Sequence, residues 1–252
     1  MQSPLYELNN VIFESGNFRP LDVKKFEVHR GTVYSISGKP GSGKTVFLDV
    51  LARDLRHTSG EIKFESKDIS QFSKSELSDQ IAFVKQINKA PRWTTVENYI
   101  LKVLDSYSHT RNEKKKRLGR IINQMEIKHL LDRPMKKLTP GQLRWVILSA
   151  MIAADAKVLL IDEIEQHLSP DAINNLVRIL YRKSNYDGIT VIITTQNPEI
   201  LKKIVTIFIT MNSGRITSVR SAKKPRKYNK RKKPSQNNKK DKVKDKVGKQ
   251  KQ

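Results

Sequence analysis

Eight consecutive positions, Gly38-Lys39-Pro40-Gly41-Ser42-Gly43-Lys44-Thr45, follow the pattern G-x-x-x-x-G-K-T. Glycines let a backbone curl tightly enough to aim successive N–H groups at phosphate oxygens. Lys44 supplies a point charge for the terminal phosphates, and the Thr45 hydroxyl can ligate Mg²⁺. The chemistry these residues carry is the binding of a nucleoside triphosphate. A second group is Asp162-Glu163, which directly follows the apolar run Val158-Leu159-Leu160-Ile161. Asp162 would hold Mg²⁺ directly or through water, and Glu163 would polarise an attacking water as general base. A third is Thr139-Pro140-Gly141-Gln142, which reads as a capping box with proline at the first helical position. The helix N-terminus it forms is a prepared anion site.

These residues need a scaffold that brings them to one edge. The run Val33 to Ser37 reads as a buried strand, and Val46-Phe47-Leu48-Asp49-Val50-Leu51 after the loop has helical character. That is the strand–loop–helix setting a phosphate-binding loop needs. Tyr6 to Phe13 and Leu21 to Val28 read as strands with a turn near Gly16 and Pro20. Thr58-Ser59-Gly60 reads as a turn, followed by short strands over Glu61 to Phe64 and Ile81 to Val84. From Pro91 to Arg133 the pattern is helical and charged. Val158 to Ile161 and Ile189 to Thr195 are continuous apolar runs, as in central parallel strands, with helical spacing over Ala172 to Tyr181 between them. Ile204 to Met211 and Arg215 to Val219 finish the sheet. Alternating strands and helices imply a parallel sheet with the loop at its carboxyl edge.

The 252 residues suffice for one large domain with a real core. The formal charge of +24 is unevenly placed: residues 221–252 hold 15 Lys/Arg against 2 Asp/Glu, more than half of the excess. This segment has almost no apolar side chains to offset its ordering entropy, so it is expected to be a disordered polybasic tail. Cysteine is absent, which excludes disulfides and thiolate metal sites and fits a cytoplasmic setting. The N-terminal residues lack the basic start and apolar core of a signal peptide. The longest apolar stretch, Trp145 to Ile161, is broken by Asp155 and Lys157, so no segment is expected to span a bilayer.

Taken in order, these motifs resemble the ATP-binding subunits of the ABC superfamily, over Tyr6 to Val219. Gly38 to Thr45 looks like the family's Walker A motif, and Val158 to Glu163 like its Walker B with catalytic glutamate. Ser59-Gly60-Glu61-Ile62 through Asp68-Ile69 to Ile81 and Gln86 follows the family's run up to the Q-loop. Gln86 would then touch Mg²⁺ and the attacking water. Leu138 to Gln142 resembles the signature motif, in which Thr139 and Gly141 would meet the γ-phosphate bound by an opposite subunit. The resemblance implies an α/β fold: a P-loop NTPase core with a mostly parallel sheet and an N-terminal antiparallel β subdomain. A helical insertion is expected at about residues 87–140, within an ATPase domain of residues 1–220.

The resemblance also implies ATP and Mg²⁺ as cofactors, hydrolysis of ATP, and a homodimer or paired ABC ATPase. It further implies a separate transmembrane subunit, and so a place on the cytoplasmic face of a membrane. Four departures modify this. Pro140 replaces the first signature glycine and removes one N–H. The switch histidine is Gln196, which can bond the γ-phosphate but cannot carry a proton charge. The aspartate beyond Walker B is Ser169. The aromatic that stacks on adenine falls at Ser15, with Phe13 and Phe18 as candidates to replace it. These departures imply modest turnover with ATP binding retained. The tail leaves a second function class open: a soluble ABC ATPase acting on ribosomes or nucleic acid. Beside a membrane subunit the tail would lie on anionic lipid or, equally, be plain solvated low-complexity sequence.

Overall fold

A computed structural model describes residues 3–86, 91 and 93–222. Of the expected tail, Ser221 ends a strand and Ala222 N donates to Thr206 O at 2.8 Å, so the fold runs two residues past the expected boundary. Residues 223–252, and with them the expectation of disorder, lie outside the described residues, as do residues 87–90 and 92.

Ten strands and six α-helices form among the described residues. The first sheet is antiparallel, in the order β2 (Phe18–Val28), β1 (Tyr6–Ser15), β4 (Ser59–Phe64), β5 (Lys67–Asp68). The second has the order β10 (Arg215–Ser221), β9 (Ile207–Asn212), β3 (Val33–Ser37), β8 (Thr190–Thr195), β7 (Val158–Ile161), β6 (Ile81–Val84). All its pairings are parallel except that of edge strand β10 with β9. The expected α/β core, antiparallel N-terminal subdomain and helical insertion are all present.

The apolar runs are continuous because both faces of the parallel sheet are covered. Tyr34, Ile36, Val158, Leu160 and Ile192 join one core with Phe47, Leu48 and Leu51 of α1 (Lys44–Leu51) and residues of the antiparallel sheet. The alternate residues Val33, Leu159, Ile161, Val191 and Ile193 join a second core with the remaining long helices. Those helices are α3 (Val96–Ser106), α4 (Lys114–Met125), α5 (Pro140–Ala153) and α6 (Pro170–Asn185); the short α2 (Lys74–Ser78) precedes β6. Thus α1 is clamped between two sheets, which fixes the loop that opens it. The insertion, expected as one charged helical stretch, consists of α3 and α4, and the indole of Trp145 on α5 donates to Met125 O at 2.8 Å at the end of α4.

The elements differ from expectation at several places: β2 begins at Phe18, so Pro20 lies inside the strand and not in the turn. Ser59 and Gly60 belong to β4 rather than to a turn. Gly60 has φ +94°, and a Cβ there would sit 2.2 Å from Asn10 O, so glycine marks a close strand crossing beside an irregular register. The strand expected from Ile204 begins at Ile207, because Ile204 and Val205 close a helical turn onto Leu201 O. Lys67–Asp68 and Lys74–Ser78 were not anticipated. A two-residue turn, Glu65 (φ 52°) and Ser66 (φ 66°), joins β4 to β5, and a Ser73–Glu76 capping box starts α2.

Candidate functional site

Four neighbouring strands deliver the site in sheet order. At their carboxyl ends β3 carries the glycine loop, β8 Thr194 to Gln196, β7 Asp162 and Glu163, and β6 Lys85 and Gln86. Parallel register makes this possible: Ser37 pairs with Thr195, Ile193 with Ile161, and Ile161 with Val84. Such an edge is where ligands bind in open α/β sheets.

The loop is held from its own side and from the β9–β10 hairpin. Ser42 N donates to Lys39 O at 3.1 Å, and Gly214 N donates to Ser42 O at 3.0 Å. Ser42 and Lys44 are buried, whereas Lys39, Pro40 and Gly41 are exposed. Gly43, in the left-handed region, opens α1. The Lys44 ammonium folds over the loop and donates to Gly38 O at 2.8 Å and Lys39 O at 3.1 Å.

Asp162 is fully buried. One of its oxygens accepts from the Thr45 hydroxyl at 2.9 Å and the other from the Thr194 hydroxyl at 2.5 Å. The Thr194 hydroxyl in turn accepts from Glu163 N at 2.7 Å, so one threonine orients both acidic positions. Glu163 takes the left-handed conformation (φ 47°) and lies between two amides. Gln86 Nε2 donates to Glu163 Oε2 at 2.9 Å, and Gln196 Nε2 donates to Oε1 at 3.2 Å. Residues 77 and 33 positions away thus converge on one carboxylate.

Sequence reasoning missed the residue that ties these pieces together. Arg144, buried on α5, donates to Lys85 O, to Asp162 O at 2.5 Å and to Glu163 O at 3.2 Å. Burial pushes its guanidinium down to about 10, while Asp162, Glu163 and Glu165 oppose that shift. Its signal in the sequence was a lone cation inside an apolar helix. Glu165 was missed as well: it accepts from Gln196 N at 2.5 Å. Near the edge strand, Lys85 bridges Asp49 at 3.2 Å and Asp54 at 2.9 Å. Burial raises the Asp49 carboxyl above the usual range, against the pull of that ammonium.

The donor set at Thr45 and Asp162 is oxygen only, a hydroxyl and a carboxylate already within hydrogen-bonding distance. That suits magnesium, which takes one or two protein oxygens and fills the rest with phosphate and water. No cluster of three or more His, Cys, Asp or Glu side chains poised for a metal occurs among the described residues.

The structure thus brings together residues 38–45, Gln86, Asp162, Glu163 and Gln196. It does not bring Thr139, Gly141 and Gln142 to them. The expected capping box is present: Gln142 N donates to Thr139 Oγ1 at 3.3 Å, and Thr139 N donates to Gln142 Oε1 at 3.1 Å. Gly141 and Gln142 line a separate recess with His129, Trp145 and His167. Gly141 abuts the His167 carbonyl so closely that a Cβ would stand 2.7 Å from it. Of the two aromatics considered for the base, Phe13 packs partly against the core and Phe18 is 64% exposed.

The family model for ABC transporters matches residues 21–166. The chain is 28% identical to a putative ABC transporter ATP-binding protein of Methanosarcina mazei, over 86% of this chain and 45% of that one. It spans about half the length of the first curated relatives it matches. Among solved structures, cbiO1 of Clostridium perfringens, part of the ABC transporter complex cbiONQ, superposes with TM-score 0.74 at 23% identity. That match covers 88% of this chain and 90% of the other. The dimeric ABC transporter cassette MJ0796 superposes with TM-score 0.78 at 20% identity, covering 86% and 99%.

Proposed function

The chain belongs to the ABC transporter family, and from that premise we propose that it is an ATP-binding, ATP-hydrolysing subunit that works as an ATP-sandwich dimer and drives a separate membrane subunit. The observation that carries this reading is the suspension of Glu163 between the Gln86 and Gln196 amides, next to the Asp162–Thr45 pair. Lys44 leaves its loop carbonyls to meet the β- and γ-phosphates, while the N–H groups of residues 39–45 cradle them. Magnesium bound between Thr45 and Asp162, with Gln86 adjoining, would neutralise charge building on the phosphates. Glu163 accepts a proton from the attacking water, which Gln86 and Gln196 orient. Gln196 bonds the γ-phosphate but holds no proton, so turnover is modest.

Thr139, Gly141 and Gln142 are offered to the nucleotide of a second copy. Support comes from their capped helix N-terminus, exposed at Thr139 and Pro140 and lining a recess without any residue of 38–45. A transmembrane partner is proposed because the family model is that of ABC transporters, whose work requires a membrane path that another chain would supply. The similar cbiO1 is itself part of an ABC transporter complex, cbiONQ. The protein would then lie peripherally on the cytoplasmic face.

Titrating Mg-ATP into the parent and Lys44→Ala proteins tests the loop assignment. Two charge-assisted bonds lost at about 1.5–3 kcal/mol each weaken binding on the order of a hundredfold or more. Unchanged affinity in Lys44→Ala would overturn it.

A further inference from the structure

A cleft of about 820 Å³ runs between α4 and α6 and shares no residue with the ATP site. Arg117 and Arg120 line it from α4, Arg178 and Arg182 from α6, and Lys183 adds a fifth cation. Its two carboxylates are already engaged. Asp155 pairs with Arg117 and Lys183, and Asp187 pairs with Lys183 at 3.1 Å. Arg120, Arg178 and Arg182 enter no ion pair among the described residues; Arg178 makes only a long bond to Asn175 at 3.5 Å.

One feature of this charge is unfavourable unless an anion binds: Arg178 and Arg182 stand one turn apart on α6, where like charges repel. Aromatic rings accompany the cations: Tyr181 is 44% and Tyr186 79% exposed, and both line the cleft.

We propose that this groove binds single-stranded nucleic acid, RNA or DNA, independently of the reading of the ATP site. Phosphates lie between Arg120 and the Arg178–Arg182 row, and bases stack on Tyr181 and Tyr186. The chemistry favours a strand over a bilayer, since the cations sit in a recess beside rings with no apolar tip to insert. The 15 Lys/Arg of residues 221–252 would add general attraction for a polyanion without providing these contacts.

The test uses the full chain, so that the tail is common to every sample. Fluorescence anisotropy measures binding of labelled 15-nucleotide oligo(U) and oligo(dT) to the parent, to Arg120→Glu/Arg182→Glu and to Tyr181→Ala/Tyr186→Ala. The first pair should weaken binding about tenfold or more and flatten the log K against log salt slope by about 1.4, the value for two phosphate contacts on a single strand. The tyrosine pair should weaken binding about fivefold or more with the slope unchanged, as loss of stacking requires. Oligo(U) against oligo(dT) distinguishes RNA from DNA as the source of the strand. Affinities within twofold of the parent and an unchanged slope would assign all binding to the tail and overturn the proposal. Loss of sedimentation with phosphatidylglycerol vesicles, and not of oligonucleotide binding, would overturn it in favour of a lipid surface. Retention of oligonucleotide binding in Lys44→Ala is expected, because the groove does not depend on the loop.

Discussion

At the scale of single residues, the side chain proposed as proton acceptor is tightly constrained. Glu163 is held from both sides by amides and from its backbone by Thr194, and its carbonyl is held by Arg144. Replacing Arg144 by methionine removes its bonds to the carbonyls of Lys85, Asp162 and Glu163, of which Glu163 O keeps Gln166 N at 3.0 Å. At about 1–3 kcal/mol for each unsatisfied buried group, we expect a loss of roughly 3 kcal/mol in urea unfolding. Turnover should fall in that variant while Mg-ATP affinity stays near the parent's; parental stability and turnover would show that the clamp is idle. Gln196→His should raise turnover roughly tenfold, since an imidazole can exchange a proton near neutral pH. An unchanged phosphate-release rate would mean that position 196 is not the switch. Lys44, Thr45, Asp162 and Glu163 were legible in the sequence because each sits in a short contiguous pattern. Arg144, Thr194 and Glu165 were not. Their partners lie 18 to 59 residues away, and only the sheet order brings them together.

At the scale of elements, the site depends on where strands end and how the antiparallel sheet is fastened below them. The Glu65–Ser66 turn does part of that fastening. Glu65 accepts from Arg30 at 2.8 Å ahead of β3 and from Lys157 at 3.0 Å ahead of β7. Burial alone would raise the Glu65 carboxyl, but these two cations outweigh it and leave it below its ordinary value. A carboxylate depressed in the fold contributes stability above its unfolded pKa, and that contribution disappears as pH falls through the folded value. Glu65→Gln should therefore cost about 0.5–1 kcal/mol at pH 7. The difference from the parent in urea unfolding should close as pH falls from about 5 to 3. A difference that persists at pH 3 would point to packing instead. The long strands were legible from their apolar runs, and α5 from its capping box. The β4–β5 turn was not, because Glu-Ser lacks the Asn-Gly chemistry that marks two left-handed residues. Gly60 misled for the opposite reason, since a glycine that usually marks a turn here permits two strands to cross closely.

At the scale of the whole molecule, the proposed function leaves one copy with an incomplete site. Residues 38–45, Gln86, Asp162, Glu163 and Gln196 form one cluster, while Gly141 and Gln142, capped by Thr139, line another recess. A second copy related by a two-fold axis would bring the capped end of α5 to the first copy's γ-phosphate and complete two sites at once. The measurement that bears most directly on this arrangement is the mass of Glu163→Gln at saturating Mg-ATP, by light scattering during size exclusion. Glutamine at 163 keeps an acceptor for one of the two amides, and the other must turn its own oxygen toward the new NH2. It cannot accept the water's proton, so ATP should persist and hold two copies together. The account predicts a dimer of about twice 29.0 kDa that dissociates when ATP is withdrawn. A monomer under those conditions, with ATP bound, would contradict it.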